Sequence, residues 1–282
     1  MRRNGIQARP KGPGRRWQVN EAYFSEVTTG EQAYWLGFLA ADGNIIRKSD
    51  TGVDTGFRLQ LKASDAGHLR KLAACLESDS PVHFFAKEEQ KMTSAGKDHV
   101  IRGGDAAVVN FFSVRLAADL ARYNIVHAKT LACRPWDAPP ELAPHYWRGA
   151  VDGDGHVSAQ GGVKLYGTEA MCEGFAAFAR TVCDTRAVVR PVPEQRIWQF
   201  AIGGTRNIRS LLTALYGRGG IALDRKQRVA DAWLAANPRM PAKAICTVCG
   251  AEYARSPKNI PQYYCGSACR TRAWQARSRS AA

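Results

Sequence analysis

Apolar and polar positions along the chain fall into short periodic blocks, and the succession of blocks occurs twice. Glu31–Ala41 has helical spacing, with Thr28 or Thr29 placed to cap it. Asn44–Arg47 and Gly56–Lys62 read as strands, the second alternating through Phe57, Leu59 and Leu61. Ala66–Leu76 spaces Leu69, Leu72 and Leu76 along one helical face. Pro81–Ala86 and His99–Arg102 are predicted as short strands, and Ala106–Tyr123 as a helix with Leu116 and Leu120 on one face. From Pro144 the series restarts. Helix His145–Gly153 leads to strands His156–Ala159 and Gly162–Tyr166, then helix Ala170–Cys183 with Phe175, Phe178 and Val182 on its buried side. Strands Arg186–Val192 and Arg196–Ile202 and helices Asn207–Leu215 and Arg225–Ala236 complete it. The order α-β-β-α-β-β-α thus appears twice, which predicts an α+β fold of two pseudo-symmetric repeats.

The repeats share a sharp anchor. Tyr34-Trp35-Leu36-Gly37-Phe38-Leu39-Ala40-Ala41-Asp42-Gly43 and Tyr146-Trp147-Arg148-Gly149-Ala150-Val151-Asp152-Gly153-Asp154-Gly155 align Tyr, Trp, Gly, Asp and Gly at a separation of 112 positions. Within each helix two small residues stand four apart, Gly37 with Ala41 and Gly149 with Gly153. Residues at that spacing share a face. Glycine there costs a helix about 1 kcal/mol, and close approach of the two repeats' helices is the compensation expected. Each helix ends in Asp-Gly, with the glycine read as a left-handed exit residue. The helix dipole disfavours a carboxylate at that end. Two such carboxylates brought together repel unless a cation lies between them. The pair therefore points to a divalent ion with hard oxygen ligands, Mg²⁺ above all. Asp152 falls elsewhere on its helix and is read as structural.

Charge narrows the class of partner. The 282 residues carry a formal net charge of +15, with a sequence pI of about 9.7. An excess of that size is the footprint of a polyanion partner, and nucleic acid is the one expected. No apolar run reaches the roughly 18 residues needed to span a bilayer, and Met1–Val19 lacks the apolar stretch of a signal peptide. A soluble, cytoplasmic or otherwise intracellular protein with no membrane partner is the expectation. Residues 1–20 carry Arg2, Arg3, Arg9, Lys11, Arg15 and Arg16 without an acid and read as a flexible basic arm. Repeat one is assigned to 21–140 and repeat two to 141–237.

Cysteine usage adds a third unit. Cys75, Cys133, Cys172 and Cys183 are scattered singly, as small buried hydrophobes are. Cys246-x-x-Cys249 and Cys265-x-x-x-Cys269 form two pairs with fifteen residues between them. In a reducing compartment this is the pattern of one structural Zn²⁺ in a tetrahedral Cys₄ site. The module is placed at 243–277, with 278–282 as a tail. Arg270 and Arg272 give it basic character, which points to DNA contact, with protein docking the alternative. Cys246 to Arg277 resembles small treble-clef-like zinc fingers.

Trp35–Gly43 and Trp147–Gly155 resemble the paired motifs of the LAGLIDADG family of homing endonucleases, and the resemblance covers roughly residues 21–236. It implies a single-chain pseudo-dimer, monomeric in solution. The motif helices would form the interface between repeats, and two saddle-shaped antiparallel sheets would lie in the DNA major groove. The final acidic residue of each motif, Asp42 and Asp154, would hold Mg²⁺, two or three ions in all, helped by the backbone carbonyls of Ala41 and Gly153. Lys129 and Lys226 match the basic residues placed near each scissile phosphate. The resemblance directs the strands to a long asymmetric duplex target, and Arg47, Lys48, Arg58, Gln60, Lys62, Lys164, Tyr166 and Gln199 are the contacts expected on them. A polar residue that often orders water at a strand end is matched by Ala63 and Gly167, a departure from the pattern. The implied activity is site-specific, metal-dependent double-strand cleavage giving staggered ends, in the setting of intron homing. Two alternatives stay open: a DNA-binding regulator on the same fold without turnover, and an RNA maturase for intron splicing.

Overall fold

The computed structural model describes residues 17–86, 90–94, 97–101, 104–238, 243–255 and 262–280. Helix α1 (Gly30–Asp42) starts at Thr29, whose side chain accepts from the Gln32 amide while Gln32 reaches back to the Thr29 amide. Strands β1 (Gly43–Arg47) and β2 (Asp54–Lys62) follow, then helix α2 (Ala66–Cys75) and strand β3 (His83–Phe85). A separate two-stranded hairpin, β4 (Gln90–Ser94) with β5 (Lys97–Ile101), precedes strand β6 (Ala106–Phe111) and helix α3 (Val114–Ala121). The antiparallel sheet of this half has the order β1-β2-β6-β3.

The second half repeats the plan. Helix α4 (Ala143–Asp154), strands β7 (Gly155–Ser158) and β8 (Gly162–Gly167), helix α5 (Glu169–Val182), and strands β9 (Arg190–Pro191) and β10 (Trp198–Ile202) lead to helices α6 (Thr205–Tyr216) and α7 (Asp224–Ala236). Its sheet has the order β7-β8-β10-β9, the same arrangement. The Cys-rich region forms a hairpin, β11 (Lys243–Ile245) with β12 (Glu252–Ala254), and helix α8 (Ser267–Ser280).

The doubled α-β-β-α-β-β-α order holds for the two four-stranded sheets and their helices, with the β4–β5 hairpin added in the first half, α7 following the second, and two expected elements reassigned. The helix expected over Ala106–Tyr123 is a strand followed by a shorter helix. Alanines biased the sequence toward helix, but Val109 and Phe111 alternate into the core and the strand hydrogen-bonds to both β2 and β3. Ser113 then caps α3 by accepting from the Leu116 amide. The segment expected as the second strand partner, His99–Arg102, pairs instead within the β4–β5 hairpin; Arg102 lies outside the described residues. The strand expected over Arg186–Val192 shrinks to Arg190–Pro191.

Each sheet buries one face against helices. Phe57, Leu59, Val109 and Phe111 line the first, and Val163, Leu165, Phe200 and Ile202 the second. Between them cross α1 and α4, which bury Tyr34, Trp35, Leu36, Phe38 and Leu39 together with Tyr146, Trp147, Ala150 and Val151. No described helix is long and apolar enough to cross a membrane.

Candidate functional site

The crossing of α1 and α4 is closed by glycine on both sides. A Cβ on Gly37 would overlap the Tyr146 carbonyl, and a Cβ on Gly149 would overlap the Tyr34 carbonyl. Those contacts are reciprocal under the 112-residue repeat. One turn further on, a Cβ on Gly153 would strike Ala41 Cβ and lie 3.5 Å from Asp42 Oδ2. The small-residue pairs thus do what their spacing predicts: two backbones meet, and the helix ends carrying Asp42 and Asp154 come together.

The exits from these helices differ from expectation. Gly43 and Gly155 are extended, at φ −68° and −96°, not left-handed. The chain passes straight into β1 and β7. Glycine is still required, because a Cβ at Gly43 would stand 2.5 Å from the Leu39 carbonyl oxygen and one at Gly155 2.5 Å from that of Val151. Each aspartate consequently sits where a helix hands over to a sheet.

Both carboxylates are open to solvent, yet protein surrounds them closely. Loss of hydration, with the charge of Asp154 adding to it, pushes the Asp42 carboxyl up to about 6. Loss of hydration also raises Asp154, against the pull of Lys129 and Lys226. The lysines are buried at the same place. Lys129 Nζ donates to the Ala41 carbonyl at 2.9 Å. Lys226 Nζ reaches the carbonyls of Val151 (2.7 Å), Asp152 (2.7 Å), Gly153 (3.3 Å) and Gly155 (2.7 Å). An ammonium on the final carbonyls of a helix is favoured by its dipole. Burial lowers both ammonium pKa values, that of Lys226 to about 8. All four residues picked from the sequence therefore meet at one point. A cleft of about 220 Å³ opens on the Asp154 and Lys129 side of this point, lined also by Ala41, Cys133, Tyr166 and Thr168 among others.

The donor set is chemically that of a hard divalent cation: two neighbouring carboxylates that resist sharing negative charge, beside the carbonyls of Ala41 and Gly153. Each carbonyl has two lone pairs and gives one to a lysine. The set fits Mg²⁺.

The faces of the sheets turned away from the helices are polar. Strand pairing lines up Asn44, Arg58 and Asn110 across the first sheet, with Gln60, Val108 and His83 in the next row. In the second sheet His156, Lys164 and Ala201 form one row, and Tyr166, Gln199 and Arg190 the next. Arg58, Lys62 and Lys164 are exposed, while Gln60, Tyr166 and Gln199 are half-buried. Lys48 and Arg47 are exposed at the far end of β1, where Asp54 engages the Arg47 guanidinium at 2.6 and 3.0 Å. Arg270 and Arg272 are exposed on α8, away from these rows in sequence. The same registers pair Gly43 with Leu59 and Gly155 with Leu165, so Gln60 matches Tyr166. Ala63 and Gly167 are therefore not equivalent positions: Gly167 matches Leu61.

The largest thing periodicity did not reveal is a buried network around Asp152. Its carboxylate accepts from Tyr34 Oη at 2.9 Å, Tyr216 Oη at 2.7 Å and the Leu223 amide at 2.8 Å. His68 Nε2 lies 2.9 Å from Tyr34 Oη. Burial holds the His68 pKa down to about 3, so the ring is neutral. Because Tyr34 donates to Asp152, the network assigns the proton to His68 Nε2. The sequence signal was present: an acid two residues before the terminal aspartate, where the first motif has Ala40.

The four clustered cysteines also converge, with every pair of Sγ atoms within 4.8 Å and two pairs at 3.6 Å. Tetrahedral thiolates at a Zn–S distance of ~2.3 Å stand ~3.8 Å apart, so the cluster fits Zn²⁺.

No protein-family model and no curated protein sequence matches this chain. Among solved structures, the fold is similar to LAGLIDADG homing endonucleases. That of I-GzeII in complex with its DNA target has a TM-score of 0.47 at 10% identity, covering 74% of this chain and 91% of that one. The LAGLIDADG meganuclease I-AabMI bound to uncleaved DNA has a TM-score of 0.46 at 11% identity, covering 74% and 90%. I-DmoI in complex with DNA and Ca has a TM-score of 0.43 at 13% identity, covering 70% and 90%.

Proposed function

We propose that this protein is a site-specific double-strand DNA endonuclease that hydrolyses phosphodiesters with divalent metal held by Asp42 and Asp154. The observation that carries the reading is the convergence of two repeat-related carboxylates and two repeat-related lysines where two crossing helices enter two sheets. Among the described residues neither carboxylate is hydrogen-bonded to a cationic side chain, and their mutual repulsion is relieved by a cation. Mg²⁺ bound there supplies Lewis-acid polarisation and an activated water. The chain's own groups do the rest. Lys129 and Lys226 hold positive charge beside each carboxylate, where a phosphate gaining negative charge would be stabilised. The polar rows of the two sheets, Arg58–Gln60–Lys62 and Lys164–Tyr166 with Gln199, supply donors and acceptors for base edges and phosphates. A major groove admits such strands. The repeats stand in for two subunits, so the target is long and asymmetric and the protein acts as a monomer. The Cys₄ module holds one structural Zn²⁺, and Arg270 and Arg272 add phosphate contacts.

One observation favours a second reading. The carbonyls of Ala41 and Gly153 already accept from Lys129 and Lys226, an arrangement that also suits a DNA-binding regulator without turnover. Selection of cleaved sites from a randomised duplex library with Mg²⁺ separates the two. The nuclease reading expects a defined long site with staggered ends. Asp42→Asn and Asp154→Asn would each slow cutting by more than ~100-fold, since lost outer ligand partners alone cost ~10–100-fold, while binding persists. A protein that binds the selected duplex but never cuts it with Mg²⁺ or Mn²⁺ is the regulator.

A further inference from the structure

The helix ends match in Asp42 and Asp154 but differ two residues earlier. Repeat one has Ala40 where repeat two has Asp152. Asp152 is 1% exposed, and its three partners come from three different elements: Tyr34 on α1, Tyr216 on α6, and the backbone of Leu223 just before α7. A buried carboxylate is tolerated only when donors satisfy it, and here they do.

Leu223 links this network to the site. Its amide donates to Asp152, and its carbonyl accepts the Lys226 amide at 2.9 Å. Lys226 Nζ then folds back onto the end of α4, where the carbonyl of Asp152 itself is one of its four acceptors. The same segment is clamped from repeat one, with Lys71 2.6 Å from Asp224 and Arg225 3.0 Å from Asp65. Lys129 is held differently. It follows Ala128, at φ +55°, and among the described residues it hydrogen-bonds the single carbonyl of Ala41. It also lines the cleft beside Asp154, which Lys226 does not.

We infer that Asp152 is a positioning residue for Lys226: it pins the first turn of α7 against the end of α4 and makes the two half-sites unequal. Lys226 is fixed by a network with no counterpart among the described residues of repeat one, and Lys129 is adjustable. The consequence for strand cutting rests on the nuclease reading above; the positioning itself does not.

Two measurements on the full chain test it. The first uses metal-free, DNA-free protein and an amine-acylating reagent, with labelling at each lysine followed by mass spectrometry. Asp152→Asn keeps the shape but replaces one accepting oxygen by an NH2, so either the Tyr216 bond or the bonds from Tyr34 and the Leu223 amide must reverse or break. Labelling of Lys226 is expected to rise about tenfold, the size of one lost buried hydrogen bond. Lys129, which shares no partner with the network, is expected to stay within about twofold. Equal changes at both lysines, or none at Lys226, overturn the inference, since general loosening would expose both. The second measurement resolves nicking strand by strand. Asp152→Asn is expected to slow the strand that Lys226→Met also slows, by about tenfold, so that singly nicked DNA accumulates. Equal slowing of both strands overturns it. Tyr216→Phe removes one donor and leaves the Leu223 contact, so it reads the same selectivity at smaller size if Asp152→Asn does not fold. If wild type cuts no DNA, the nuclease reading falls, and the labelling pattern alone still decides the positioning.

Discussion

Gly37→Ala sets two opposing effects against each other at the crossing of α1 and α4. Alanine is the better helix former by about 1 kcal/mol. Against this, the added Cβ would overlap the Tyr146 carbonyl oxygen and lie 2.8 Å from its carbon and 3.0 Å from the Ala150 nitrogen. All three are backbone atoms of α4, so no side chain can swing aside and the helices must part. Overpacking a core costs about 1–3 kcal/mol when side chains can adjust, and backbone against backbone belongs at or above the top of that range. The net loss expected is therefore about 2 kcal/mol or more, a fall in Tm of roughly 4–8 °C for a chain of this size class. Gly149→Ala repeats the experiment from the other side, against Tyr34 and the Phe38 nitrogen at 2.7 Å. The double variant is expected to cost less than the sum, because parting the helices once makes room for both methyls. Gly203→Ala, whose Cβ would meet nothing within 4 Å, is the control and is expected to change stability by no more than about 0.5 kcal/mol. Thermal unfolding by circular dichroism reads all four. If Gly37→Ala and Gly149→Ala melt with the control, the close crossing is wrong, and with it the convergence of Asp42 and Asp154.

The remaining predictions concern charge and metal. Asp42 stands at about 6 against an ordinary 3.8. A carboxyl raised on folding binds more protons folded than unfolded, so its contribution is present at low pH and lost as pH climbs through 6. Metal-free wild type is expected to lose Tm over that interval more steeply than Asp42→Asn, and parallel curves would refute the assignment. Arg58→Ala is expected to weaken duplex binding and to reduce the slope of log affinity against log salt by about 1; an unchanged slope removes Arg58 from the phosphate contacts. Cys249→Ser is expected to lower zinc content from about one ion per chain to none. In wild type, a chelator is expected to expose the four cysteines of the cluster to thiol reagents; thiols equally reactive with and without chelator would argue against a zinc site.

Much of this architecture was legible along the chain because its signals are local. A threonine cap at the start of α1, the alternation through Phe57 and Leu59, and the close spacing within each of the pairs Cys246–Cys249 and Cys265–Cys269 each follow from residues a few positions apart. The paired Tyr-Trp-x-Gly and Asp-Gly strings located both helix ends, since close helix packing admits so few residue types. Lys129 and Lys226 were singled out through the family resemblance and their matched contexts, and the fold brings both to the ends of α1 and α4. Ala106–Phe111 was misread because alanine is ambiguous by itself, and only pairing with β2 and β3 decides for strand. Gly43 and Gly155 were expected to be left-handed, but the preceding turn of helix, which leaves no room for a Cβ, is what demands glycine there.

The sequence by itself thus determined the doubled repeat, the glycine-lined helices, the two acids that end them and the cysteine cluster, since each is written in residue spacing. Tertiary structure alone decided how the lysines are held. Lys226 and Asp152 are 74 positions apart, and no local pattern signals that one backbone amide at Leu223 couples them. Nor could spacing reveal that Ala40 and Asp152 break the symmetry of the site. That difference acts only through Tyr34, Tyr216 and Leu223, which folding brings to one buried carboxylate from both repeats.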